Sequence, residues 1–214
     1  MTMDSLYSRS HIRESLNRTP SSPGEDMLWL ASGSKEMLAK VRAEAPEHRI
    51  PAAVLVPLVE REGGWTVLLT QRAATLKDHA GQISFPGGRI DPQDADAWHA
   101  ALREAHEEIG LAESHIEFAG FLPDHWVGTG FRVTPAVGFV SPAFELKIAT
   151  AEVHDVFEVP LLHILDTANH KSRQMVVGEL NVEVYDIPYD GRIIWGATAG
   201  MLLTFRRLLK ARSS

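Results

Sequence analysis

After a polar, mixed-charge opening, the chain settles into short apolar runs separated by turn residues. Pro51 introduces a run at 52–59 that is apolar almost throughout and reads as a buried strand. Gly63-Gly64 marks a turn, and a second run follows at 65–70, so the two are expected to pair as a hairpin. Residues 73–82 are polar and irregular, and a short strand at 83–85 leads into Pro86-Gly87-Gly88. Helical spacing then takes over. Trp98, Ala101, Leu102, Ala105 and Ile109 recur at three- and four-residue steps, with Asp96 ahead as N-cap and Gly110 behind as the C′ residue. Further strands are expected at 116–121, 133–140, 173–177 and 182–187. A short helix or turn is expected within 152–165, and an amphipathic helix at 197–210. Residues 1–48 read as helical pieces broken by a loop at Ser21-Ser22-Pro23-Gly24. The pattern is a mixed sheet with helices on its faces, an α/β (α+β) sandwich. It divides into an N-terminal helical segment at 1–48 and one domain at 49–214. The first segment carries no readable motif and is left as a helical cover or a contribution to a homodimer.

Composition changes this picture little. With 214 residues, 44% hydrophobic and 23% charged, the chain resembles an ordinary globular protein with room for a full core. No run of 18 apolar residues occurs, so no membrane span is expected. Cysteine is absent, which excludes disulfides and thiolate metal sites. With a polar N-terminus lacking an apolar signal core, this favours a cytoplasmic location. The formal charge of -7 argues against a nucleic-acid surface, which needs a basic patch. It also means that an anionic substrate would need a metal ion or a few placed cations.

The candidate chemistry sits on the helix between Asp96 and Gly110. Glu104, Glu107 and Glu108 are spaced i, i+3 and i+4 and share one face. Three carboxylates crowded together repel, and a divalent cation relieves that repulsion. Magnesium takes oxygen ligands, commonly one or two carboxylates plus substrate phosphates, and Glu104 and Glu108 lie one turn apart. Arg103 stands at i, i+4 from Glu107, the spacing of an ion pair that fixes a carboxylate. A lone Glu-Glu pair is ordinarily a solvated face. Here it belongs to a longer constellation, Arg103-Glu104-Ala105-His106-Glu107-Glu108-Ile109-Gly110-Leu111, preceded by Phe85-Pro86-Gly87-Gly88.

That constellation resembles the Nudix box. The family pattern runs glycine, five residues, an acid, seven residues, then Arg-Glu, an apolar residue, any residue, Glu-Glu, any residue, glycine and an apolar residue. Gly88 is followed by five residues and Asp94, and 103–111 match the second half position for position. Asp94 replaces the usual glutamate, and eight residues rather than seven separate it from Arg103, so it inherits no catalytic role. The resemblance implies a Nudix-type α/β/α sandwich with a mixed sheet and a catalytic loop-helix-loop. It implies Mg2+ or Mn2+ held by Glu104, Glu108, the Gly88 carbonyl and, as auxiliary, Glu107. In many such enzymes an acid outside the box joins the metals or acts as base, and Glu152 is the candidate here. Glu107 and Arg103 complete the catalytic set.

A second stretch, 68–88, reads Leu-Leu-Thr-Gln-Arg-Ala-Ala-Thr-Leu-Lys-Asp-His-Ala-Gly-Gln-Ile-Ser-Phe-Pro-Gly-Gly. It is similar to the signature of the coenzyme A diphosphatase branch, in which the longer spacing after Asp94 also recurs. Lys77 stands where that branch most often has arginine, keeping the charge but losing the planar fork. The resemblance extends over 50–205 and implies cleavage of coenzyme A or acyl-CoA to 3′,5′-ADP and 4′-phosphopantetheine or its acyl derivative. Arg72, Lys77 and Gly87 are the candidate substrate contacts. The alternatives are a broader nucleoside-diphosphate-X hydrolase acting on ADP-ribose, dinucleotides or NTPs, or a nucleotide-sensing module without turnover. An acidic face exposed to solvent contributes little to a core, so Glu107→Gln or Glu108→Gln is expected to leave folding intact. His106 occupies the variable position of the box and points off the acidic face, and His79 falls in the upstream stretch. His125, Trp126 and Trp195 are read first as packing residues.

Overall fold

The run behind Pro51 becomes the longest described strand and the spine of the molecule. The structure, a computed structural model, describes residues 7–17, 30–32, 49–76, 79–127, 130–177 and 180–211. In chain order the elements are α1 (Arg9–Leu16), β1 (Leu30–Ser32), β2 (Ile50–Arg61), β3 (Gly64–Arg72), β4 (Ile83–Ser84) and β5 (Gly87–Arg89). Then come α2 (Ala97–Ile109), β6 (Ile116–Phe121), β7 (His125–Val127), β8 (Phe131–Val140), β9 (Val153–Pro160) and α3 (Leu161–Leu165). The last are β10 (Lys171–Val177), β11 (Leu180–Tyr189), β12 (Arg192–Trp195) and α4 (Gly196–Lys210).

Eight strands form a mixed sheet in the order β4-β3-β2-β8-β6, with β5 on β2, β7 on β8 and β9 on β3. The pair β2–β8 is parallel, with Ala53 beside Thr134 and Leu55 beside Ala136. The remaining ladders in this sheet are antiparallel. A second antiparallel sheet orders β1-β11-β10 and adds β12 to β11. Strand alternation splits the spine between two cores. Val56 and Leu58 join Phe139 and Phe205 on one face. Ala53 and Leu55 face α2, joining Leu68, Ala105 and Ile109.

The expected helix is present with both expected ends. The Asp96 carboxylate accepts from the His99 backbone N–H at 3.0 Å. Gly110 closes the helix in the left-handed region at φ 70. A side chain there would also collide with the backbone of Lys147, so glycine is required on two counts. The stripe buries Ala101, Leu102, Ala105 and Ile109.

Three expectations change. The segment 152–165 is not only a short helix: Val153–Pro160 is a strand antiparallel to β3, and only Leu161–Leu165 is helical. Leu30–Ser32, expected within helical pieces, is a strand on β11. Residues 125–127, where no element was expected, are the strand β7. The helical expectation for 1–48 holds at α1, which docks on the sheet rather than standing apart. Ile12 and Leu16 are buried in the first core, and Leu16 packs where Gly120 leaves room. Each such aliphatic contributes about 1.5–3 kcal/mol. The ion pairs of Arg9 with Glu60 and Glu117 are half-exposed and contribute roughly 0–1 kcal/mol each. Packing therefore holds the helix, and the charges set its register. The other expectations for 1–48, including the loop at 21–24, lie outside the described residues.

Candidate active site

Three backbone segments converge at one end of α2. The first is β5, which pairs with β2 so that Gly88 lies opposite Ala53 on the α2 face of the sheet. A Cβ on Gly88 would overlap the carboxylate of Glu104, and one on Gly87 would overlap Ala53 and Val54. The two glycines thus let strand and helix close on each other. The second is the stretch after β8. It returns to the helix C-terminus, where Lys147 and Ala149 donate backbone N–H groups to the carbonyls of Ile109 and Glu108 at 2.8 Å each. These carbonyls have no partner within the helix, so the loop is seated by the helix end. The third is the end of β3. Ala73 N–H donates to the Glu152 carbonyl at 2.8 Å, which brings Arg72 and Glu152 to the same place.

Electrostatics show the consequence. Glu108 is 5% exposed, and its Oε2 is shielded from water with no hydrogen-bond partner among the described residues. Burial first, then the negative charges of Glu104 and Glu152, push its carboxyl up to about 8; Arg72 and the Gly87 N–H oppose the rise. Glu104 is also raised, chiefly by burial, with Arg103 pulling it down and Glu107 and Glu152 pushing it up. This corrects the expectation of a solvated acidic face. The helix does align the three carboxylates, but β5 covers Glu104 and Glu108 while Glu107 remains outside, with its side chain 59% exposed. Arg72 has a shielded Nε with no partner among the described residues.

Arg103 organises the rim. It meets Asp94 with Nε to Oδ1 and Nη2 to Oδ2, both 3.0 Å. Its Nη1 reaches Glu104 at 2.9 Å and Glu107 at 3.1 Å, and Nη2 also donates to the Arg89 carbonyl at 3.0 Å. The predicted Arg103–Glu107 pair therefore forms, and Asp94 acquires a structural explanation. It accepts from the Asp91 N–H at 2.8 Å, closing a tight turn that aims its carboxylate at Arg103. The Arg103 guanidinium holds Asp94 below the usual carboxylate range. The signal was local: Asp91-x-x-Asp94 ahead of a capped helix.

Among the expected site residues, Glu104, Glu108, Glu152, Arg72, Arg103, Gly87 and Gly88 are gathered, and Glu107 stands at their edge. Lys77 lies outside the described residues. His79 is exposed and bonds Gln82 at 2.9 Å. His125 is buried. Among the described residues, no three His, Asp or Glu side chains already form a metal cage; Arg103 engages Glu104 and Glu107. The donors nonetheless suit a hard divalent cation. All are oxygen, the buried Glu108 and the half-buried Glu104 repel each other, and one buried oxygen has no donor among the described residues. No described helix is long and apolar enough to cross a membrane.

Comparison with known proteins gives the following. The family described as the NUDIX domain matches residues 49–177. The uncharacterized Nudix hydrolase NudL of Escherichia coli (strain K12) is 39% identical over 163 residues, 76% of this chain and 84% of its own. The protein of the same name from Enterobacter sp. (strain 638) is 40% identical over 155 residues, 72% of this chain and 80% of its own. Among solved structures, the MutT protein from Methanosarcina mazei Go1 is similar with a TM-score of 0.51 at 20% identity, over 79% of this chain and 100% of that one. A Nudix hydrolase from Alicyclobacillus acidocaldarius gives 0.50 at 16% identity, over 77% and 93%. The two structures share the mixed-sheet fold.

Proposed function

The chain belongs to the Nudix family, hydrolases of phosphorus-containing anhydrides that generally need a divalent metal ion, and from that premise we propose that it cleaves the diphosphate of coenzyme A or an acyl-CoA. The products are 3′,5′-ADP and 4′-phosphopantetheine or its acyl form. The observation that carries the site assignment is the sealed Glu108, which has a buried oxygen without a donor beside Glu104 and Glu152. The substrate assignment is supported by the 68–88 stretch and by where it leads. Arg72, at the end of β3, acts on Glu108 electrostatically.

In this reading Glu104, Glu108 and the Gly88 carbonyl hold Mg2+ or Mn2+, with Glu107 as auxiliary. Such an ion, when bound, would supply polarisation of a phosphoryl oxygen and a lowered pKa for a water. Glu107 would orient the attacking water and Glu152 take its proton as the new P–O bond forms, and the bridging P–O bond breaks with its electron pair leaving on the departing phosphate. Arg72, Lys77 and Gly87 bind the anionic diphosphate, and the Arg72 fork suits two phosphate oxygens at once. Arg103, clamped by Asp94, keeps the Glu104 and Glu107 carboxylates in place. Residues 49–214 form the hydrolase domain in this reading, and 1–48 supply a cover, of which α1 is the docked part.

A substrate panel tests the proposal: coenzyme A, ADP-ribose, NADH and dNTPs, each with Mg2+ in heavy-oxygen water. Turnover of coenzyme A above the others, with one labelled oxygen in the products, is expected. Preference for ADP-ribose or a dinucleotide would move the chain to the broader diphosphatases. Tight coenzyme A binding without turnover would make it a sensor.

A further inference from the structure

Arg49, immediately before β2, is a cation with donors to spare. Its guanidinium lies over the Trp126 ring, Cζ to centroid 4.0 Å. Its Nη1 is shielded from water and has no hydrogen-bond partner among the described residues. Stacking uses the face of the guanidinium and leaves its in-plane N–H groups available for hydrogen bonds. A shielded donor of this kind calls for an acceptor that the chain itself does not supply.

Register places the cluster. Trp126 pairs with Arg132 across β7 and β8, and Arg132 lies beside Pro51. Alternation along β8 puts Arg132 and Thr134 on the same face as Ala136, the face that α2 covers. Thr134 is level with Ala53, and Ala53 with Gly88. The cluster therefore shares a sheet face with the Gly88–Glu104 contact, with Arg132 two strands from Gly88 and Trp126 three, roughly 10–15 Å at ordinary strand spacing. Local charge is positive. Asp124 is the acid at this spot, and it already accepts from Thr134 Oγ1 at 2.7 Å and faces Arg132 at 3.6 Å. Among the described residues no acid pairs with Arg49, in a chain of net charge -7, and a local excess of cation marks a place for an anion.

We propose that Arg49, stacked on Trp126 and flanked by Arg132, binds a phosphate monoester of the substrate remote from the diphosphate that is cleaved. This rests on the coenzyme A reading above, in which that group is the 3′-phosphate. One ribose separates it from the diphosphate, so both anions can lie on a single sheet face. The planar fork of Arg49 is suited to a terminal phosphate, and Trp126 fixes the plane of the fork.

Calorimetric titration of the full chain with 3′,5′-ADP and with 5′-AMP tests this without requiring turnover. The wild type should bind 3′,5′-ADP about 10- to 100-fold more tightly, the range of one charge-assisted phosphate contact. Arg49→Gln should erase that preference by weakening 3′,5′-ADP alone, and Arg49→Lys should restore part of it. Equal affinities in the wild type, or an undiminished preference in a folded Arg49→Gln, would overturn the proposal. If Arg49→Gln melts early, Arg132→Gln makes the same comparison from a half-exposed position: a weakened preference supports the site and an unchanged one overturns it. Turnover of coenzyme A against dephospho-coenzyme A is measured separately. Failure to cleave either one removes the coenzyme A reading, while the 3′,5′-ADP preference stands or falls on binding.

Discussion

Two buried or half-buried glutamates in this domain have opposite fates. Glu158, on β9, is met by Arg61 Nε at 3.0 Å, by Arg61 Nη2 and by Thr66 Oγ1. Burial pushes its carboxyl up, but the bonds from Arg61 and Thr66 outweigh burial and hold it below the usual range. Glu108, on α2, is more deeply buried, and its Oε2 has no donor among the described residues. Burial and its acidic neighbours push it up to about 8. The same side chain is a fastener in one place and an open valence in the other. A buried acid that the fold completes contributes to stability, whereas one left incomplete lowers stability until something from outside completes it.

Glu108→Gln is the sharpest test of that contrast. In the proposed enzyme it should lower kcat/KM by about three orders of magnitude, on the order of 4 kcal/mol of transition-state stabilisation. The metal-free fold should be retained, and strengthened as pH rises through about 8, where the wild-type carboxyl would have to charge in its buried site. Steady-state kinetics at saturating Mg2+ beside a thermal melt in EDTA give both numbers. Full activity in Glu108→Gln would sink the metal assignment.

The two acids should also respond to pH in opposite directions. The folded-state pKa of Glu108 is raised from 4.5 to about 8, so the folded chain holds this proton more tightly than the unfolded one. Its contribution is fully present below the unfolded value and is lost as pH rises through about 8. The Glu158 pKa is depressed, so its contribution is present above 4.5 and is lost as pH falls through the lower folded value. The metal-free Tm should therefore drop between pH 5 and 8, and Mn2+ or Mg2+ should reverse the drop. Glu108→Gln should flatten this slope, and Glu158→Gln should leave it. A slope that survives Glu108→Gln would place its origin elsewhere.

Asp94→Asn probes the rim that Arg103 forms beside Glu104 and Glu107. Arg103 would lose half of its fork and lean on Glu104 and Glu107, competing with the cation. Loss of a group that holds a metal ligand's partner in place costs about 10- to 100-fold in metal affinity or activity. The Mg2+ concentration for half-maximal rate should rise about tenfold, with kcat recovered at high Mg2+. An unchanged metal requirement would make the Asp94 clamp purely structural.

How much of this was legible in the sequence depended on the range of the interactions. Asp96 and Gly110 announced the ends of α2 because capping is chemistry between residues a few positions apart. The alignment of Glu104 and Glu108 was legible from helical period alone. That β5 would seal Glu108 was not, because the cover comes from a strand paired to β2 and leaves no trace in the helix's own pattern. β9 was missed for a related reason. Its residues Val153–Pro160 intersperse charges with apolar side chains, and only its long-range ladder with β3 makes it a strand. The β11–β12 hairpin did carry a local signal. Asp190-Gly191, at φ 47 and 73, is the Asp-Gly pair of a two-residue turn between Tyr189 and Arg192. Arg49 offered no signal, since its stacking partner Trp126 lies on another strand.

The smallest effect is the one that completes the contrast. Glu158→Gln keeps an amide oxygen for one donor but cannot complete both arms of the Arg61 fork and the Thr66 hydroxyl together. The loss should be about 1–2 kcal/mol, typical of a charge-assisted bond broken where water has partial access. In a urea titration at pH 7 this appears as a lower midpoint with an unchanged m-value. Because Glu158 is occupied within the protein, kcat/KM should stay within about twofold of wild type. If Glu158→Gln instead lost activity on the scale of Glu108→Gln, completion by the fold would not separate structural acids from functional ones here. The unfilled valence of Glu108 would then lose its force as the mark of the site.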